Sequence, residues 1–253
     1  MIDLTANCVA QYKLNDCLEN TVVINEFGPN GIFNGGNTED HSAVSHHVNL
    51  VKRLQFNGVD DFVDLTNTST IKVSLPLSIS FWLKVNTLNS HIISVDDHYT
   101  NPPDLYYGWW VQTLVNGKIR VSYSDGGAKN SLHRRSKDST TALQTGVDYH
   151  ITCVIRGAQD MDIYINGEND GGDYSGTGGV LAYSSAKSTL MARDQSPGNL
   201  TNGYIDNVCI FNKGLSQAEV NFLYNNGNGR ESLRESARPL VSGSLANNKR
   251  GLV

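Results

Sequence analysis

The sequence predicts an all-β chain that folds as an antiparallel two-sheet sandwich. Three observations carry that expectation. Apolar and polar residues alternate with a period of two from end to end. Clusters of Gly, Asn and Asp punctuate the alternation at short intervals. Helical periodicity is nearly confined to one place, close to the C-terminus. Many short strands with Gly-rich turns imply an antiparallel sandwich or barrel.

The strand candidates run in order Val9–Leu14, Arg53–Phe56, Asp61–Leu65, Leu77–Val85, His91–Val95, Trp109–Leu114 and Lys118–Ser124. Asp148–Arg156, Asp162–Ile165, Lys187–Met191 and Gly203–Phe211 follow. Turn clusters stand at 57–61, 115–118, 165–168 and 201–203, and the Asn-Gly pairs in VNGK and INGE are hairpin signals because both residues tolerate positive φ. The helix is expected over 216–225. In Leu215-Ser216-Gln217-Ala218-Glu219-Val220 the Ser216 side chain and Glu219 form a capping box, Leu215 and Val220 a hydrophobic staple, and Gly227 can end the element. Residues 230–253 change character, with five basic and two acidic residues and no aromatic. They are read as an extended C-terminal tail, separate from a sandwich over 1–229.

Composition bounds the function. At 253 residues, one large β-domain accommodates the whole chain, and folding would bury about 70–75% of its surface. Charged residues make up 18%, and the net charge is −5, which argues against a nucleic-acid binder and against a disordered or coiled-coil chain. No apolar run reaches the ~20 residues that cross a bilayer, so no membrane partner is expected. The first residues lack a basic segment followed by an apolar one, so synthesis and retention in a cytosol is the expectation. Cys8, Cys17, Cys153 and Cys209 include no CxxC pair. Cys153 and Cys209 read as small buried hydrophobes, and Cys8 and Cys17 as free thiols that could pair only on export.

Several segments in order resemble the laminin-G-like modules of the concanavalin A-like jelly-roll superfamily. Gln11-Tyr12-Lys13-Leu14-Asn15-Asp16 is similar to the opening strand and turn, and Phe56-Asn57-Gly58-Val59-Asp60-Asp61-Phe62-Val63 to an FDGxDDYV segment. Leu77-Ser78-Ile79-Ser80-Phe81-Trp82-Leu83-Lys84 is similar to an FTISAWVK strand, and Tyr149–Thr152 with Ile163–Glu168 to a central hairpin. Gly203–Ser216 resembles GxIDDVRIYNRALS leading into the closing helix. The resemblance covers about 10–229 and implies a jelly roll with adjacent termini. It implies glycan or protein binding for most relatives and glycoside hydrolysis for some, so the fold alone does not choose.

Three constellations were weighed. Hydrolysis would need paired carboxylates on a rigid strand. The nearest text, Glu168-Asn169-Asp170-Gly171-Gly172-Asp173, follows a hairpin signal and reads as a solvated turn, so no catalytic residue and no enzyme is expected. A structural Ca²⁺ between first and last strands, as in many jelly-roll modules, would draw on Asp206 with Asn15 and Asp16. Here alternation puts Asp206 on one face with Val208 and Ile210; the competing role is a carboxylate that accepts backbone amides. A glycan platform would use the aromatics of 96–110, namely Tyr99, Tyr106, Tyr107 and Trp109, with the opposite faces of Trp109 and Trp110 leaving only one of them to the core. Gly167–Gly179 and His133-Arg134-Arg135 are alternative contact surfaces. The sequons at Asn67 and Asn199 carry no weight without export.

The function expected is a non-catalytic binding or structural module. An adhesive-type fold without an export signal suggests a virion surface component, a phage decoration, fibre or tail-associated protein. It would meet a glycan or host receptor and dock on neighbouring virion proteins or on itself through Arg230, Arg234, Arg238, Lys249 and Arg250. The alternatives are a free carbohydrate-binding lectin, which could be cytoplasmic, and a glycoside hydrolase.

Overall fold

A computed structural model of the chain describes residues 1–66, 69–95, 98–99, 104–184, 189–194 and 198–235. Two antiparallel sheets face one another across a single large core. One sheet runs in the order β16 (Glu168–Asn169), β15 (Asp160–Ile165), β14 (Asp148–Gly157), β7 (Leu77–Val85), β19 (Asn202–Phe211), β5 (Lys52–Asn57) and β4 (Ser42–Val44), with β1 (Cys8–Tyr12) also on β19. The other runs β17 (Asp173–Gly176), β13 (Arg134–Ala142), β12 (Lys118–Ser124), β11 (Trp109–Thr113), β8 (His91–Val95), β18 (Thr189–Met191), β6 (Phe62–Asp64), β3 (Gly31–Asn34) and β2 (Val22–Val23). A two-stranded ribbon, β9 (His98–Tyr99) with β10 (Leu105–Tyr106), stands beside them.

Alternation builds the core. In β7, Leu77, Ile79, Phe81, Leu83 and Val85 point inward against Trp109, Val111, Val121 and Tyr123 of the opposite sheet. The other phase of β7 is also covered. Ser78 Oγ donates to the Lys213 carbonyl and accepts from Leu215 N, and Trp82 lies under the helix α1 (Gln217–Tyr224) and the 45–47 segment. A central strand covered on both faces reads as an unbroken apolar run only where its outer positions are apolar too, and here they are Ser, Ser and Trp.

The helix forms as its sequence dictates. Ser216 Oγ accepts from Glu219 N while Glu219 Oε2 accepts from Ser216 N, and Leu215 and Val220 are buried. The helix closes on Asn225 in the left-handed region rather than on Gly227. At the 165–168 hairpin both Asn166 (φ 53°) and Gly167 (φ 85°) take the positive angles the Asn-Gly signal requires. The 201–203 cluster is not a turn. Asn202-Gly203 opens β19, and a side chain on Gly203 would strike the Lys84 carbonyl 2.0 Å away.

The longest strand missing from the sequence reading is β13, RRSKDSTTA, which has no apolar alternation to reveal it. Its inward residues are Arg135 and Lys137, whose stems pass Tyr174 while their charged ends donate to backbone carbonyls: Arg135 to Ala158 and Gly176, Lys137 to Met161. Long amphipathic side chains here serve as core. Arg135 is therefore not part of a solvated contact pair.

The tail also needs correction. Residues 230–235 belong to the folded unit. Leu4 N donates to Leu233 O and Glu235 N to Ile2 O, while Leu233, 3% exposed, joins Leu4, Leu215, Val220 and Leu223 in a second apolar cluster. Arg230 lies over the Phe222 ring and donates to the Phe222 carbonyl, and Arg234 pairs with Asp3 at 2.7 Å. These two arginines serve the fold and are not free docking groups. Arg238, Lys249 and Arg250 lie outside the described residues. All four thiols are free, with Cys8, Cys153 and Cys209 buried and Cys17 exposed.

Because residues 230–235 form a strap packed on the fold, Leu233→Ala will cost about 2–4 kcal/mol in urea denaturation, as a Leu-to-Ala change in a packed cluster does. Leu132→Ala, at an exposed site, will leave the midpoint where it is.

Candidate functional site

The outer face of the nine-stranded sheet carries an aromatic ledge. In β11 the phase Trp109, Val111, Thr113 points into the core, so Trp110 and Gln112 point outward. Trp110 Nε1 donates to Gln112 Oε1 at 2.9 Å, which fixes the indole plane. Tyr106, half-buried, stacks on Trp110 with ring centroids 5.5 Å apart and planes 30° apart. A ring held from below by a second, hydrogen-bonded ring loses little conformational freedom when a ligand lies on it.

The backbone around the ledge is closed by short bonds between loops. Tyr106 N donates to Gly127 O, Lys129 N to Asp104 O, and Gly108 N to Ala182 O. Asp125 ties this end together, since its carboxylate accepts from Gly127 N, Gly179 N and His133 Nδ1. Although burial works against it, these donors hold the Asp125 carboxyl below its ordinary range. Polar groups thus border the ledge: the Asp104–Lys129 pair at 3.3 Å, and His133 beside Asp125. Tyr107, also half-buried, leans over Gly126.

Of the four aromatics expected to bind, Tyr106 and Tyr107 stand at this end of the sandwich. Trp109 does not: it is 0% exposed in the main core, facing Val95 and Tyr123 across its neighbours. The residue on the outer face is Trp110, which lies outside the main core as the alternation requires but is itself covered, at 2% exposed. The spacing of Trp109 and Val111 against Trp110 and Gln112 was the signal that separates them. Tyr99 falls in β9, and its side chain lies outside the described residues.

The expected calcium ligands do not assemble. At Asn207 (φ 44°) β19 carries a bulge, so Asp206 leaves the face of Val208 and Ile210. It points to the outer face of the eight-stranded sheet, where Oδ2 accepts from Ser45 Oγ at 2.8 Å. Asn15 instead accepts from Lys52 N and donates to Glu231, and Asp16 accepts from Ile24 N. Ca²⁺ needs six to eight oxygens directed at one point, which these residues do not provide. Among the described residues no group of three or more His, Cys, Asp or Glu could hold a metal ion.

Asp206 belongs to a buried polar face. His47 stacks on Trp82 (3.5 Å between centroids), with His150 5.0 Å and Tyr224 5.8 Å from the same indole. His150 Nε2 meets Ser80 Oγ at 2.9 Å, and Arg53 binds Asp148 while lying over Tyr204. A serine beside a histidine suggests nucleophilic chemistry, but both are 2% exposed and no acid orients the imidazole, whose Nδ1 has no partner among the described residues. Burial raises the Asp206 carboxyl well above its usual range, and it pulls the His150 imidazole down to about 3.

The carboxylates of the 168–173 segment stand on edge strands of the sheets and in the loop between them, not within a central strand. Glu168 is exposed on the edge strand β16, and Asp170 accepts from Thr140 N and Thr141 N, pinning its loop to β13.

Residues 57–221 match the family model of the concanavalin A-like lectin/glucanases superfamily, Laminin_G_3. The chain belongs to this superfamily. No curated protein matches its sequence. Among solved structures it is similar to domain 4 of the arabinanase AbnA of Geobacillus stearothermophilus, solved with arabinotriose (TM-score 0.58, 16% identity, 88% of this chain and 98% of that one). It is similar to the binding domain of Paraclostridial Mosquitocidal Protein 1 (0.63, 16%, 88% and 53%). It also resembles botulinum neurotoxin type C, from a study of cell entry dependent on two ganglioside molecules (0.59, 17%, 92% and 52%). The chain spans nearly all of the arabinanase domain and about half of each toxin chain. At these identities the likeness establishes a shared jelly-roll sandwich.

The buried face has a pH signature. An unfolded imidazole titrates near 6.5, whereas the folded state resists protonating His150. Its contribution is present above pH 6.5 and is lost as pH falls toward 3. Asp206 acts in the opposite sense in any variant that keeps it. From pH 7 to pH 5, the wild type should lose about 2 kcal/mol more stability than His150→Gln, measured by urea titration at each pH. Parallel losses in the two proteins would contradict the assignment.

Proposed function

We propose that the chain is a non-catalytic binding module that recognises a glycan through the Tyr106–Trp110 ledge. The observation that carries this reading is the half-exposed Tyr106 ring stacked on an indole fixed by Gln112. Aromatic faces bind the C–H surfaces of sugars, and the polar border of Asp104, Lys129 and His133 supplies groups to fix hydroxyls. The arabinotriose bound to the arabinanase domain and the gangliosides of the neurotoxin support a saccharide as ligand class. The exposed edge position of Glu168 and the engagement of Asp170 by the Thr140 and Thr141 amides support binding without hydrolysis.

A place on a virion surface is a further proposal. Since Arg230 and Arg234 are engaged on the domain, it rests on Arg238, Lys249 and Arg250 as the docking groups. Removing residues 236–253 should then abolish particle attachment while the sandwich stays folded, and unchanged attachment would end that reading.

The glycan reading is tested on an array of plant, bacterial and animal oligosaccharides. The full chain should bind a defined subset, and Tyr106→Ala should weaken that binding about tenfold with an unchanged melting temperature. Trp109→Ala should destabilise the fold by about 3–5 kcal/mol. An array blank for the wild type, or Tyr106→Ala binding as well as wild type, would refute the ledge as the site.

A further inference from the structure

At the edge of the nine-stranded sheet, away from the ledge, the turn after β1 and the chain flanking β2 enclose a cleft of about 540 Å³, closed on one side by Glu231 of the strap. That volume is in the range of small-molecule sites. Its walls are apolar. Leu14 is buried beneath it, while Leu18 (63% exposed), Val22 and Ile24 (50%) present hydrocarbon to solvent. Ile32, paired with Val22 across β2 and β3, extends the same exposed apolar patch. Such residues gathered on a cleft mark a place where something binds.

The charges in the cleft select what that is. Three carboxylates, Asp16, Glu26 and Glu231, line it against one ammonium, Lys13. Lys13 is committed to Glu26 at 3.1 Å. Among the described residues neither Asp16 nor Glu231 has a basic partner; Asp16 accepts from Ile24 N, and Glu231 accepts through Oε1 from Asn15 Nδ2 and Val51 N. Burial raises the Asp16 carboxyl above its ordinary range, and the Glu26 charge adds to the same shift. Two uncompensated carboxylates beside exposed hydrocarbon are complementary to a cation on a hydrocarbon body. The lining holds no aromatic ring, so a quaternary ammonium, which favours aromatic cages, is the poorer fit, and an N–H-bearing ammonium the better one.

We propose that this cleft is a second binding site, separate from the glycan ledge, that takes a small aliphatic amine in its protonated form. Its hydrocarbon body lies against Leu18, Val22 and Ile24, and its ammonium donates to Asp16 and Glu231.

Cys17 lines the cleft and is exposed, whereas Cys8, Cys153 and Cys209 are buried, so its alkylation reports occupancy. The probe is hexylammonium chloride, added to the full chain while iodoacetamide labelling of Cys17 is followed, with calorimetric titration in parallel. Hexanol and hexanoate serve as neutral and anionic controls of the same length. Hexylammonium should slow labelling saturably and titrate at one site, hexanol should do so weakly and hexanoate not at all. Asp16→Asn and Glu231→Gln keep the acceptors used by Ile24 N and Asn15, so the fold is retained. Each should weaken hexylammonium about fivefold. If hexanoate or hexanol protects Cys17 as well as hexylammonium does, or if both charge-removing variants bind it as tightly as wild type, the proposal is overturned. Glycan binding should be unchanged in both variants, which keeps this test separate from that of the ledge.

Discussion

The structure depends on how one strand changes partners. β19 pairs with β7 on both sides of a break at Asn207–Val208, but its other edge belongs to β5 over its first residues and to β1 over its last. The change falls at Asp206–Asn207, where the ladder is broken and backbone groups must find other partners. The Asn207 side chain ties neighbouring segments together across this point. Its Oδ1 accepts from Gln11 Nε2 and its Nδ2 donates to the Arg230 carbonyl, so one side chain joins the first strand, the last strand and the strap. Gln11 completes the knot by donating to the Glu231 carbonyl.

From that knot the covering of the eight-stranded sheet follows. Its outer face holds Trp82, His150 and Asp206, none of which tolerates water on one side and an empty space on the other. The helix supplies Tyr224 and the 45–47 segment supplies Ser45 and His47, and together they bury a polar layer whose partners are other polar groups and rings. The opposite sheet is finished differently. Its outer face keeps Trp110 under Tyr106, with loops bound to one another through Asp125. The sandwich thus buries a polar layer on one outer face and leaves a half-buried aromatic ring on the other.

Much of the fold was legible in the residues. Leu77–Val85 and Lys118–Ser124 alternate cleanly and fold at those limits, and the capping box places the helix within a residue at its start. What escaped was encoded in polar atoms. β13 alternates arginine and lysine stems that a hydropathy pattern cannot distinguish from a surface loop. The strap reads as a charged tail because its single apolar anchor, Leu233, has no periodicity to announce it. The site was half legible: a tyrosine-rich segment marks the region, but only the phase of Val111 tells which tryptophan is outside. Asp206 was misassigned to the face of Val208 because a bulge is invisible to a period-two count.

The pairing of residues 2–4 with 233–235 has a mechanical meaning. Asp3 and Arg234 form an antiparallel bridge, with Leu4 held by Leu233 and Ile2 by Glu235. The chain enters and leaves at the same end of this short ladder. A load applied between residues 1 and 235 therefore falls on its hydrogen bonds one after another, as in a zip, instead of on all of them together. The ladder would part at low force and let out slack, leaving the pairing of β1 with β19 to be strained only afterwards. A sandwich pulled through these two segments would in this way carry its own shock absorber.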